Sequence, residues 1–345
     1  MKIVSIVGTR PQFIKLAPIA WRAKEICEHL IVHTGQHYDP LLTDVFFSEL
    51  KIPNPVENIV SGSGTHSEQT AGMLIEIEKV LVKLNPDKVI VYGDTNSTLA
   101  GALCASKMNI PVGHIEAGLR SFNQNMPEEI NRIISDHISN VLFAPTAKAM
   151  TNLEREGLST KSLMVGDLMF ELLNKFDSKI PRLEKENKNG KIFCTIHRAE
   201  NTDSPERLSY IINALSKSNL QVDLFVHPRL LARSKLFGID LNQGKLNLKD
   251  PISYIDTITT ITKYNGVITD SGGLQKEAYF LSVPCLTVRN ETEWPETFKN
   301  NWNRLDPGLA YILENWWELP GDKPLISEYG DGDTSSKILE ALIKI

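Results

Sequence analysis

Apolar residues come in short bursts along the chain. Each burst is followed by a polar loop and then by apolar positions at helical spacing. Lys2–Val7, Leu30–His33, Lys88–Tyr92, the residues after Pro111, Val141–Phe143 and Leu163–Val165 read as strands. Between them, helices are expected from the first turn to about Glu28, over 41–50 and 67–84, from Thr95 to about Lys107, from Pro127 onward, over Lys148–Glu156 and over Phe170–Phe176. In 67–84, Met73, Ile77, Val80, Leu81 and Leu84 form a core-facing stripe. Residues 51–66, rich in Pro, Asn, Gly and Ser, read as a long irregular loop. Alternating strands and helices imply right-handed crossovers and a parallel sheet. Residues 177–191 are charged and broken by Pro and Gly, which suggests an exposed connection. A second strand-helix alternation follows it, with Ile192–Ile196, Asp223–Val226, Gly266–Thr269 and Val283–Val288 as strands. The chain closes on a helix, Ser335–Ile345, with Ile338, Leu339, Leu342 and Ile345 on one side. The expected division is 1–170 and 171–334, with 335–345 crossing back to the first domain.

Composition narrows the class. The 345 residues are 41% hydrophobic and 23% charged, enough for two cores, and the net charge of -5 argues against a general nucleic-acid binder. Cys27, Cys104, Cys194 and Cys285 lack paired spacing, so they read as buried thiols in a reducing compartment and not as a disulfide frame or zinc site. No apolar run reaches spanning length, and the N-terminus begins directly as a strand. The expectation is a cytoplasmic α/β protein.

Candidate chemistry clusters after the strands. Asp94 follows Lys88–Tyr92, and Glu116 ends the strand after Pro111. Parallel neighbours end on one edge, and ligands of open α/β sheets bind outside that edge. The two carboxylates therefore suggest proton transfer or hydroxyl binding. After the first strand, Gly8 leads into Arg10 and Lys15, two cations placed to flank an anion at a helix start. This is not a dinucleotide fingerprint, since no G-x-G-x-x-G occurs. His37 and Asp39 lack a third metal ligand. Glu128 and Glu129 suit a helix N-terminus, and Glu128 lies four residues before Arg132 at ion-pair spacing. In the second half, His197 with Arg198 and His227 each follow a strand. Ser271-Gly272-Gly273 leads into a helix whose free N–H groups suit a phosphate, and Glu277 one turn on suits a ribose diol.

Taken together, Gly8-Thr9-Arg10-Pro11 with Lys15, Gly93-Asp94-Thr95, His114 to Arg120, Pro127-Glu128-Glu129 with Asn131-Arg132, His197-Arg198, Asp270 to Gly273, Glu293 with Pro295-Glu296, and Tyr329 to Gly332 resemble the non-hydrolysing UDP-N-acetylglucosamine 2-epimerase family nearly end to end. The resemblance implies an α/β fold of two Rossmann-like domains facing a cleft (GT-B type). It implies no cofactor, no metal and usually a homodimer, with a UDP-sugar and UDP as partners. UDP is eliminated across C1–C2 to a glycal-type intermediate, then re-added with a proton on the opposite face of C2. Asp94, Glu116, Glu128 and His197 match the family's catalytic residues, with the face served by each left open. Arg10, Lys15, Arg132, Arg198, His227, Ser271, Gly272, Gly273 and Glu277 match substrate or UDP contacts. Gln12-Phe13, the Thr195 to Thr202 stretch and Trp294 depart from the best-known members and look like the branch acting on UDP-2,3-diacetamido-2,3-dideoxy-glucuronate. A GT-B glycosyltransferase, a hydrolysing epimerase and a non-catalytic sensor are the competing readings.

Overall fold

The computed structural model describes residues 1–36, 40–59, 64–181, 188–318 and 322–345, with the side chains of 40–44 undescribed. His37, Tyr38 and Asp39 lie outside the described residues. The chain forms two compact units, Met1–Lys175 with Ser327–Ile345, and Phe176–Ile326.

In the first unit the elements run β1 (Lys2–Val7), α1 (Arg10–Ala23), β2 (Glu28–His33), α2 (Pro40–Glu49), β3 (Glu57–Asn58), α3 (His66–Leu84), β4 (Lys88–Tyr92), α4 (Asn96–Lys107), β5 (Val112–Ile115), α5 (Pro127–Ile138), β6 (Val141–Ala144), α6 (Ala147–Arg155), β7 (Ser162–Met164) and α7 (Leu168–Phe176). Among the described residues they build a seven-stranded parallel sheet of order β3-β2-β1-β4-β5-β6-β7. The order reverses between β1 and β4, the place where such sheets open a ligand crevice. Strands β1 and β4 are buried almost throughout, as expected of strands covered on both faces. Met73, Ile77 and Leu81 of α3 pack on them, so the helical stripe is core. The short β3 lies inside the segment expected to be irregular. It pairs with only two residues of β2, too short a run to leave a period-two signal.

In the second unit β8 (Lys191–Thr195), α8 (Ala199–Thr202), α9 (Pro205–Ser216), β9 (Gln221–Phe225), α10 (Pro228–Phe237), β10 (Leu246–Lys249), α11 (Tyr254–Ile261), β11 (Gly266–Thr269), α12 (Gly272–Phe280), β12 (Cys285–Thr287) and β13 (Asn303–Leu305) follow. Their sheet is parallel with order β10-β9-β8-β11-β12-β13. Strands β10 and β13 at its edges have no strong apolar run (LNLK and NRL), and the sequence pattern did not single them out.

The closing helix α13 (Thr334–Lys344) belongs to the first unit. Its start is fixed by the Glu171 carboxylate, which accepts from Ser335 N at 2.7 Å and Ser335 Oγ at 2.6 Å. Burial raises the Glu171 pKa despite those bonds. Near its end, Lys88 Nζ donates to the Leu342 carbonyl. Cys104, Cys194 and Cys285 are buried free thiols, whereas Cys27 is only half-buried. No helix of the described residues is long and apolar enough to cross a membrane.

Candidate active site

Strands β4 and β5 pair in parallel with Tyr92 opposite Ile115, so Asp94 and Glu116 leave neighbouring strands at the same edge. Their backbones are held. Gly93 turns with φ 65°, and Glu116 itself has φ 68°, a left-handed conformation uncommon for a residue with a Cβ. Such strained positions concentrate where a side chain must be aimed. Arg132 from α5 donates to Asp94 Oδ2 through Nη2 at 2.6 Å and Nε at 3.0 Å. The Lys15 ammonium, on the second turn of α1, contacts the Glu116 carboxylate. Each carboxylate thus already has a cation beside it; the Glu116 side chain is nearly buried, that of Asp94 only half-buried.

Glu129, buried and next to Glu128, accepts from Arg132 Nη1 at 2.7 Å and from the Ser121 and Phe122 amides at 2.9 Å. Arg132 is therefore oriented by Glu129 at i,i+3 and not by the Glu128 pair that spacing suggested. Among the described residues Glu128 has no hydrogen-bond partner for its side chain; it sits half-buried on the first turn of α5. Arg10 lies half-buried with its guanidinium 5.8 Å from the Phe46 ring centroid. Gln12, noted only as a departure from the family, knits the two turns together. Its Oε1 accepts from Gly8 N at 2.7 Å and Thr9 N at 3.1 Å, and its Nε2 donates to Tyr92 O at 2.7 Å and to Thr95 and Thr98 Oγ1 at 3.0 Å.

The edge of the second unit is assembled differently. Asp270, fully buried after β11, accepts from the amides of His197 at 3.0 Å and Arg198 at 2.9 Å and from Asn201 Nδ2 at 3.1 Å. Its Oδ1 stands 3.2 Å from His197 Nδ1, leaving the other ring nitrogen as the one free to meet a ligand. His227 caps α10, accepting from Arg229 N at 3.1 Å, and its ring centroid is 5.0 Å from that of His197. Ser271 caps α12, its Oγ accepting from Leu274 N. Gly272 and Gly273 then open the helix, and Glu277 lies buried within it. Lys276, also buried, places its ammonium 3.5 Å from the Trp294 ring centroid. Arg289 pairs bidentately with Glu293 at 3.0 Å. Arg289 also lines a cavity of about 550 Å³ with Glu200, Asn201, Arg207, Tyr210 and Gly308. Neither Asp270 nor Arg207 was singled out as a site residue. Asp270 was quoted only within a motif, and its role depends on a carboxylate meeting amides 73 residues away in sequence.

The family model for UDP-N-acetylglucosamine 2-epimerase matches residues 20–343. A UDP-N-acetylglucosamine 2-epimerase homolog of Methanococcus maripaludis is 48% identical, covering 99% of each chain. The chain belongs to this epimerase family. The UDP-2,3-diacetamido-2,3-dideoxy-D-glucuronate 2-epimerase of Pseudomonas aeruginosa is 42% identical over the whole of both chains. The crystal structure of Methanocaldococcus jannaschii UDP-GlcNAc 2-epimerase in complex with UDP-GlcNAc and UDP superposes with a TM-score of 0.90 at 39% identity over 100% of both chains. The fold class is that expected, two Rossmann-like α/β domains of the GT-B type. The reaction class is that of an isomerase, epimerisation of a UDP-sugar.

Proposed function

We propose that the chain epimerises C2 of a UDP-2-acetamido sugar, UDP-GlcNAc to UDP-ManNAc in type, by eliminating UDP to a glycal intermediate and re-adding it. Asp94, Glu116, Glu128 and His197 move the protons. Arg10, Lys15, Arg132, Arg198, His227, Ser271, Gly272, Gly273 and Glu277 bind the substrate and departing UDP. The observation carrying this reading is the pair Asp94 and Glu116 on adjacent parallel strands, each beside a cation. The C2 proton is a weak acid. Its removal needs a positioned base while UDP leaves as an anion, so the same edge must hold carboxylates and positive charge together. The free amides of α12 suit the pyrophosphate, and His197, aimed by Asp270, suits a donor to the leaving group. The enzyme works as a cytoplasmic homodimer without a cofactor.

Turnover in D2O tests the reaction: both epimers should carry deuterium at C2. Epimers formed without label, or sugar transfer to an added acceptor with no epimer, would defeat it. The second reading, the same reaction on UDP-2,3-diacetamido-2,3-dideoxy-glucuronate, is favoured by Arg207. This guanidinium lines the cavity and among the described residues donates only to neutral acceptors, Asn201 Oδ1 at 2.9 Å and Pro307 O at 2.6 Å, so it suits the sugar's carboxylate. Comparing kcat/KM for the two UDP-sugars decides between them.

A further inference from the structure

We propose that His114 is a positioning residue: its buried ring ties the turn carrying Asp94 to the turn carrying Glu116 and holds the two carboxylates at one spacing. This role rests on the acid–base reading of Asp94 and Glu116. His114 lies on β5, two residues before Glu116, and is fully buried. Its Nε2 is 2.7 Å from the carbonyl oxygen of Gly93, the residue before Asp94. Its Nδ1 is 2.7 Å from Asp136 Oδ1 on α5. A carbonyl and a carboxylate both accept, so the ring serves both only with a hydrogen on each nitrogen.

The Asp136 end of the link is itself held from several sides. Asp136 Oδ2 accepts from Gly118 N at 3.1 Å and from Arg120 Nη2 at 2.7 Å. Arg120 in turn is chelated by Glu156 at 2.7 Å. Lys161 Nζ donates to the Asp136 carbonyl at 2.8 Å, and His137 Nδ1 lies 3.9 Å from Glu156. Burial alone would raise the Asp136 carboxyl, but His114 and Arg120 together hold it below its ordinary value. A buried pair so compensated is a rigid link, and losing one partner would leave the other charge stranded.

The link runs from Gly93 O through His114 and Asp136 to Gly118 N. It therefore grips the backbone on both sides of Glu116, whose own φ of 68° is the strained point. Gly118 turns with φ 81°, and a Cβ there would meet Ala149 O at 2.5 Å, so the backbone that Asp136 grips is one only glycine fits. Released from the link, the Glu116 turn is free to drift, and a displacement of about 1 Å at a reacting group costs on the order of 10²-fold in rate.

His114→Gln carries its N–H donors on a single nitrogen and cannot span both acceptors. We expect kcat to fall about 10²-fold with KM changed only a few-fold, because the UDP contacts are untouched. Adding Asp136→Asn should cost little more, the two being parts of one link. In 15N spectra of the His-labelled wild-type chain, one ring with both nitrogens donating in slowly exchanging hydrogen bonds should appear and should vanish in the variant. The proposal is overturned if that ring is absent, if kcat is unchanged, or if the kcat loss merely follows the folded fraction seen in melting. Should the wild type turn over without exchanging the C2 proton, the acid–base reading falls instead, and the spectrum alone then decides the link.

Discussion

The two sheet edges hold their candidate site in opposite ways. In the first unit, charged side chains do it: Asp94 with Arg132, Glu116 with Lys15, and Glu129 behind Arg132. In the second, backbone amides and a helix start do it, with buried Asp270 gathering the His197 and Arg198 amides. A group that must gain and lose protons has to be a side chain whose charge is balanced nearby. A pyrophosphate needs only fixed N–H donors, which a helix start supplies without any ionisable group.

The largest test of this contrast is Asp94→Asn or Glu116→Gln. Each should lower kcat about 10²- to 10⁴-fold and abolish C2 deuterium exchange, while UDP affinity, measured by titration calorimetry, stays within a few-fold. Comparable losses of UDP binding would erase the distinction between the edges. Acid should attack the first unit. His33 is buried there, and desolvation lowers its pKa from 6.5 to about 4. The unfolded chain thus binds the proton first, so its contribution is intact above pH 6.5 and is lost as pH falls towards 4. The full shift corresponds to about 3 kcal/mol. Denaturant melts should show the stability of wild type relative to His33→Phe falling as pH drops through this window.

Asp270→Asn comes next. It leaves buried donors with a poorer acceptor, and about 1–3 kcal/mol of stability should be lost in melts, with kcat falling more than UDP affinity. The smallest effects separate crowding at the two edges. A Cβ at Gly8 would fall 2.1 Å from Thr34 Oγ1 and 2.2 Å from Ser97 Oγ, so Gly8→Ala should destabilise by about 1–3 kcal/mol. At Gly272 the nearest atom would be Arg289 Nη1 at 3.7 Å, so Gly272→Ala should stay within about 0.5 kcal/mol in the same melts. Equal costs would mean that the edges are alike in crowding.

Strands with long apolar runs, β1, β4 and β11, were legible because burial on both faces leaves a continuous signal. The same holds for α3, whose core stripe recurs at helical spacing. Edge strands β10 and β13 carry no such signal, since half of their surface faces solvent. That Asp94 and Glu116 share one sheet edge was legible because a strand end is a local event. The residues that brace their surroundings were not: Glu129, which orients Arg132, lay beside the residue that spacing favoured, and Gln12, which ties the two turns together, read as a mere substitution.

What the sequence determined alone was the alternation of strand and helix, the parallel pairing that follows from crossover handedness, and the residue types waiting at each strand end. Which charges meet was decided only in three dimensions. Lys15 reaches Glu116 across 101 residues, Arg132 reaches Asp94 across 38, and Asp270 reaches the His197 amide across 73. Periodicity records how a residue faces its own element. The pairing of ionic groups depends on which elements become neighbours, and that is set by the packing of the whole sheet.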